Sequence, residues 1–175
     1  MIIHDPPKIK TGILDIKNRE GMFMHIVLVE PEIPYNTGNI ARTCAATGSV
    51  LHLVRPLGFS TEDRYLKRAG LDYWHLVDIR YHDSFSEMLA LYPQDQFYYA
   101  TTKGGHPHTT FNYASDSLLV FGKETKGLPA ELLAANAERC LRIPMRQEAR
   151  SLNLANAVAV VLYEALRQQG FIGLT

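Results

Sequence analysis

The chain has 175 residues, 46% of them hydrophobic and 21% charged, with eighteen Lys and Arg balancing eighteen Asp and Glu. That size suits one domain and that composition a globular one, which excludes disordered, fibrous and grossly basic nucleic-acid-coating proteins. The longest unbroken apolar run, Ala157 to Tyr163, is far short of the roughly 20 residues that cross a bilayer as a helix, so no membrane association is expected. Asp5, Pro6 and Pro7 near the start are unlike a secretory signal, and the expectation is a cytoplasmic protein. Cys44 and Cys140 then read as reduced thiols, small apolar fillers on a helix and a strand.

Residues 1–23 lack sustained periodicity and read as an N-terminal extension, which leaves 24–175 as the folded domain. From Met24 onward, apolar runs alternate with helical patterns. The strand candidates are His25 to Glu30, Val50 to Val54, Trp74 to Asp78, Phe97 to Thr101, Leu118 to Gly122 and Arg139 to Ile143. Helix candidates lie at Thr37 to Thr47, Thr61 to Ala69, Ser84 to Leu91, Ala130 to Ala135 and Leu152 to Gln169. Alternation over the whole chain predicts an α/β fold with a mostly parallel sheet and layered helices. The last helix carries one strongly polar residue, Asn156, in the ten from Leu154 to Tyr163 and has no polar stripe. It is therefore expected to be covered twice, by its own sheet and by a second copy in a homodimer; the alternative is a central helix in a monomer.

Several chemistries are missing. The loop Gly122-Lys-Glu-Thr-Lys-Gly127 is followed by Leu128 and Pro129, where a Walker loop requires Lys and Ser or Thr. Neither a dinucleotide fingerprint nor a nucleophile elbow is present. His106 and His108 have no partner motif for zinc and read as part of a polar loop.

Three segments carry a signal. Asn36 to Thr43 follows the first strand and enters a helix; Asn36 or Thr37 can cap it, and Arg42 adds a cation near a sheet edge. Leu118 to Pro129 breaks from a buried strand into a polar loop. There Glu124 can orient a ribose hydroxyl or the loop itself, Lys123 and Lys126 read as solvated, and Gly127 is a candidate for a positive φ. Arg139, Arg142, Arg146 and Arg150 face a single Glu148 before Ser151 and Asn153, which stand at a helix start where they can cap or hold a ligand. Arg64, Lys67 and Arg68 form a second basic cluster at helical spacing. Either cluster can meet a polyanion or be a solvated face.

Taken together, NTGNIART, LLVFGKETKGLP and IPMRQEARSLNLANAVAVVLYEAL resemble the three ordered motifs of the SPOUT methyltransferases, in their TrmH-like branch. EPEIPYNTGNIARTCAATG and AGLDYWHL further resemble the small tRNA wobble-nucleotide ribose methyltransferases, over Met24 to about Ile172. The resemblance implies S-adenosylmethionine as methyl donor without a metal, a carboxyl-terminal trefoil knot, a homodimer, and 2′-O-methylation of cytidine or uridine 34 in the anticodon arm of tRNA. Matching positions imply that Ala100, Gly122, Ile143, Ser151 and Leu152 bind the cofactor. They imply that Arg42, with Ser151 and Asn153, is catalytic, and that Asn36, Glu124, Arg150 and Tyr163 serve the substrate. A guanidinium is a poor simple base, so Arg42 is expected to hold a phosphate and stabilise the forming alkoxide. The alternatives are a TrmH-like enzyme acting on another tRNA or rRNA ribose, a non-catalytic RNA-binding or assembly protein, and a small-molecule methyltransferase.

Overall fold

The computed structural model describes residues 23–60 and 73–175. Within them lie the strands β1 (His25–Val29), β2 (Val50–Val54), β3 (Ile79–His82), β4 (Phe97–Ala100), β5 (His106–Pro107), β6 (Leu118–Phe121) and β7 (Cys140–Arg142). The helices are α1 (Pro34–Thr47), α2 (Phe85–Leu91), α3 (Ala130–Ala135) and α4 (Leu154–Gln168). The strands form one seven-stranded sheet, ordered β3-β2-β1-β6-β4-β7-β5, in which all neighbours are parallel. The predicted helix Thr61 to Ala69 and the cluster Arg64, Lys67 and Arg68 lie outside the described residues, as does nearly all of the N-terminal extension.

Side-chain alternation along the strands divides the core into two layers. Ile26, Leu28, Leu51, Leu53, Leu119 and Phe121 pack with Ile40 and Cys44 of α1 and with Val158, Val161 and Leu162 of α4. On the opposite face Val27, Val29, Val54, Phe97, Leu118 and Val120 pack with Met88 of α2 and Leu132 and Leu133 of α3. Helices thus cover both faces, and strands buried on both sides read as continuous apolar runs. Both cysteines are buried and unbridged, and burial pushes the Cys44 thiol up to about 12.

Two strand expectations need correction. The run Trp74 to Asp78 is not a strand: Tyr73 and Trp74 are helical and the chain leaves them through a turn, with Leu76 N donating to Tyr73 O and Val77 N to Trp74 O. Trp74 and Val77, three apart, reach the same core, so an apolar cluster of turn spacing resembles a strand. The strand is the next segment, Ile79–His82, whose polar composition suits a sheet edge. His106 likewise belongs to a short edge strand paired with β7, and buried His108 opens the 3-10 turn that follows.

Across β1, β2 and β3 runs a diagonal row of imidazoles, and Tyr92 meets the rings of His25 and His52 edge-on. His25 Nδ1 is 2.8 Å from His52 Nε2, and His52 Nδ1 is 2.9 Å from His82 Nε2. Each contact needs one N–H and one lone pair, so neutral rings satisfy both contacts and their tautomers are coupled, while His82 Nδ1 is buried without a partner among the described residues. Burial, reinforced by Arg80, lowers the pKa of His25 to about 4, and burial also lowers His52 and His82. As pH falls from about 6.5 towards 4, the unfolded chain takes up protons that the folded one refuses, and stability falls. Urea unfolding at pH 7, 6 and 5 should show stability falling with pH, by about 1.4 kcal/mol per pH unit for each imidazole that stays neutral, with a shallower slope in His52→Phe; a midpoint independent of pH would contradict this.

Candidate active site

The sheet changes direction between β1 and β6: the chain builds outward through β2 and β3, then crosses to the other side. Ligand crevices in open α/β sheets form at such a point, beyond the carboxyl ends of the strands. Here the loop after β1 and the loop after β6 meet. Lys123 Nζ pairs with Glu30 Oε2 at 2.5 Å, and Glu32 Oε2 accepts from Thr125 N (3.0 Å) and Thr125 Oγ1 (2.8 Å).

Glu124 completes the join. Its Oε2 accepts from Glu32 N at 2.8 Å, and its Oε1 accepts from Ile33 N at 3.2 Å and from Asn36 Nδ2 at 3.0 Å. Asn36 Oδ1 accepts from Asn153 Nδ2 at 2.9 Å, while Asn153 Oδ1 accepts from Ala155 N and Asn156 N at the start of α4. The chain of bonds is directional: amide donors of α4 feed Asn153, then Asn36, then one carboxylate, which also receives backbone donors at the entrance of α1. A negative charge is favoured beside helix amino termini for this reason.

This arrangement alters several sequence expectations. Neither Asn36 nor Thr37 caps α1, which starts three residues earlier with Ile33 as N-cap and Pro34 in its first turn; Glu124 serves that entrance from far along the chain. Asn153 does cap the last helix. Asn36, Glu124 and Asn153 come together, but their polar atoms bond to one another and to backbone. Lys123, read as solvated, is ion-paired. Gly127 has φ +69° as expected. The space beside the Gly122 α-carbon is taken by the chain itself: an added Cβ would lie 2.2 Å from Gly127 C and 2.3 Å from Leu128 N, because the loop folds back on it.

Ala100, Gly122 and Ile143 end or follow the adjacent strands β4, β6 and β7. Arg150, Ser151 and Leu152 are exposed between β7 and α4, and Tyr163 is exposed on α4. Beside this row of strand ends, an open cleft of about 290 Å³ is lined by Thr101, Lys103, Gly104, Gly105, Leu133 and Cys140, among others. Gly122, Ile143, Ser151 and Arg42 do not line it. Arg42 projects from the exposed side of α1, its guanidinium carbon 4.7 Å from the centroid of the Tyr73 ring. Tyr73 was not singled out by sequence, although it lies in the AGLDYWHL segment. The four-arginine cluster is divided: Arg139 bonds to Asp95 O and stacks over Tyr98, while Arg142, Arg146 and Arg150 remain exposed.

Residues 23–163 match the model of the SpoU rRNA methylase family. The chain belongs to this family. A Bacillus subtilis relative, provisionally named a tRNA (cytidine(34)-2′-O)-methyltransferase, is 56% identical over 85% of this chain and 94% of its own. The tRNA (cytidine(34)-2′-O)-methyltransferase of Escherichia coli is 48% identical over 86% of this chain and 96% of its own. Among solved structures, one concerned with 2-OH methylation of C/U34 on tRNA is 48% identical, with TM-score 0.80, covering 86% of this SpoU methylase and 99% of that chain. An AdoMet-bound rRNA methyltransferase from Sinorhizobium meliloti is 28% identical, with TM-score 0.74, over 83% of this chain and 56% of that one.

Removing the Glu124 carboxylate strands two backbone donors and the Asn36 amide. Glu124→Ala should therefore cost about 2–4 kcal/mol in urea unfolding, and Glu124→Gln less, since it keeps one acceptor. Unchanged stability in Glu124→Ala would mean that the carboxylate is not the anchor of these loops.

Proposed function

We propose that this SpoU methylase transfers a methyl group from S-adenosylmethionine to the ribose 2′-hydroxyl of the tRNA wobble nucleotide, cytidine or uridine 34, acting in the cytoplasm as a homodimer. The observation that carries the reading is the hydrogen-bonded joining of all three sequence motifs through Glu124, Asn36 and Asn153 at the carboxyl ends of the strands. The names of full-length relatives near 50% identity support the substrate.

The cofactor would lie along the loops after β4, β6 and β7, on Ala100, Gly122, Ile143, Ser151 and Leu152. Beside these loops, the open cleft has Gly104, Gly105 and Leu133 in its wall. When bound, the sulfonium supplies an already activated methyl group. The protein's task is then positioning and charge. Arg42 holds the RNA phosphate and stabilises the developing oxyanion. Ser151 orients the ribose, and Asn36, Glu124 and Asn153 keep the three loops in register. The exposed Arg142, Arg146 and Arg150, with Tyr163, receive the anticodon arm, whose splayed loop exposes the 2′-hydroxyl.

A trefoil knot is supported by the place of β7, which pairs between two earlier strands, β4 and β5. The connection over Thr101 to Gly105 must arch past β7, and Thr101 N donates to Leu141 O. Beyond it, Gln168 at the end of the last helix and Gln169 just after it bond to Phe111 and Tyr113. A homodimer is supported by the outer side of α4, where Val160 and Tyr163 are exposed near Phe171 and 73%-exposed Ile172. One sheet and α1 cover only the other side of this helix.

With labelled methyl donor and total tRNA, mass spectrometry after nuclease digestion should find the new methyl group on the ribose of nucleotide 34; incorporation elsewhere, or none, would refute the assignment. Arg42→Ala should abolish transfer while calorimetry shows nearly unchanged cofactor affinity. Loss of cofactor binding instead would remove Arg42 from the catalytic role.

A further inference from the structure

Arg42 is held in an unusual way for an exposed arginine. Among the described residues it has neither an ion pair nor a side-chain hydrogen bond, and its one ordering contact is the face of the Tyr73 ring at 4.7 Å. The other described arginines that lie over aromatic rings differ. Arg55, over Tyr81, also pairs with Asp83 at 2.8 Å, and Arg139, over Tyr98, also donates to Asp95 O. In both, a polar partner consumes donors of the guanidinium.

The platform is itself fixed. Trp74, the next residue, packs against the core cluster that contains Ile40 and Cys44 of α1, and Val77 does the same. The hydrogen bonds Leu76 N to Tyr73 O and Val77 N to Trp74 O close the turn that carries the ring. The turn and the helix bearing Arg42 are thus seated on one apolar layer. Tyr73 is 36% exposed, and no hydrogen bond to its hydroxyl is among those of the described residues.

We propose that Tyr73 is a positioning residue for the methyl transfer, its ring face holding the Arg42 guanidinium with all its N–H donors free for an RNA phosphate and the reacting ribose oxygen. This rests on the role given to Arg42 above. A carboxylate could also order an arginine, but it would occupy the donors and compete with the phosphate for the charge. An aromatic face orders the plane without taking an N–H, because the attraction is to the ring quadrupole. The feature that matters is therefore the π-face, and the phenolic hydroxyl is dispensable.

The test compares Tyr73→Phe, Tyr73→Leu and Arg42→Ala in the full-length protein, with single-turnover methylation of tRNA, tRNA and cofactor affinities, thermal melting, and the NMR order parameter of the Arg42 Nε–H. Tyr73→Phe should stay within about twofold of the parent rate. Tyr73→Leu should lose about 5–20-fold in the methyl-transfer rate, with cofactor affinity unchanged, melting little altered and the Arg42 side chain newly mobile. A merely structural tyrosine would change melting but leave the mobility of Arg42 untouched. The proposal is overturned if Tyr73→Leu keeps the parent rate while Arg42→Ala is inactive, if Arg42 is equally ordered in Tyr73→Leu, or if Tyr73→Phe loses as much as Tyr73→Leu. Full activity in Arg42→Ala overturns it differently, by removing the role of Arg42 on which it depends.

Discussion

Glu124 is the point at which the strand-end loops become one structure. A half-buried carboxylate costs desolvation unless its lone pairs are used, and here two backbone amides and one side-chain amide use them. The same charge sits at the amino end of α1 and is linked through two asparagines to that of α4. Flanking it, Glu30 to Lys123 and Glu32 to Thr125 reinforce the contact between the two loops. Gly122 is the steric counterpart, since only a residue without a side chain lets the loop double back closely enough to present Glu124.

Much of the layered fold was legible because it is written locally. Val50–Val54 and Ala130–Ala135 coincide with the sequence reading, and the other core strands and helices differ mainly at their ends. The failures have physical causes. Ile79–His82 is an edge strand with little apolar content, and Trp74 to Val77 is apolar but folds as a turn. The short β5 owes its existence to β7 alone, a partner more than thirty residues away.

The site was legible in identity more than in role. Asn36, Glu124 and Asn153 stand out as polar residues in otherwise apolar segments, but their bonds span 88 and 117 residues. No local pattern reveals such pairings, so a local cap or a ribose contact was the natural expectation for Asn36 and Glu124. Asn153 was readable as a cap because the donors to its Oδ1, Ala155 N and Asn156 N, lie within one turn. The environment of Arg42 was hidden for a related reason: Tyr73 lies thirty-one positions away, in a segment whose apolar neighbours draw attention to burial. Fixing the arginine by a ring while the adjoining loops are fixed by a carboxylate separates two tasks that one acidic residue could not perform together.

The insertion of β7 between β4 and β5 has a consequence for how the polypeptide matures. The outer edge of the sheet cannot close until Cys140–Arg142 has been synthesised, and β5 has no partner before then. Contacts of such long sequence separation slow folding, and they leave the β4 edge open to non-native association while the carboxyl-terminal fifth is still emerging. A nascent chain stalled before β7 should therefore be a substrate for chaperones, whereas the finished chain buries that edge in its own interior.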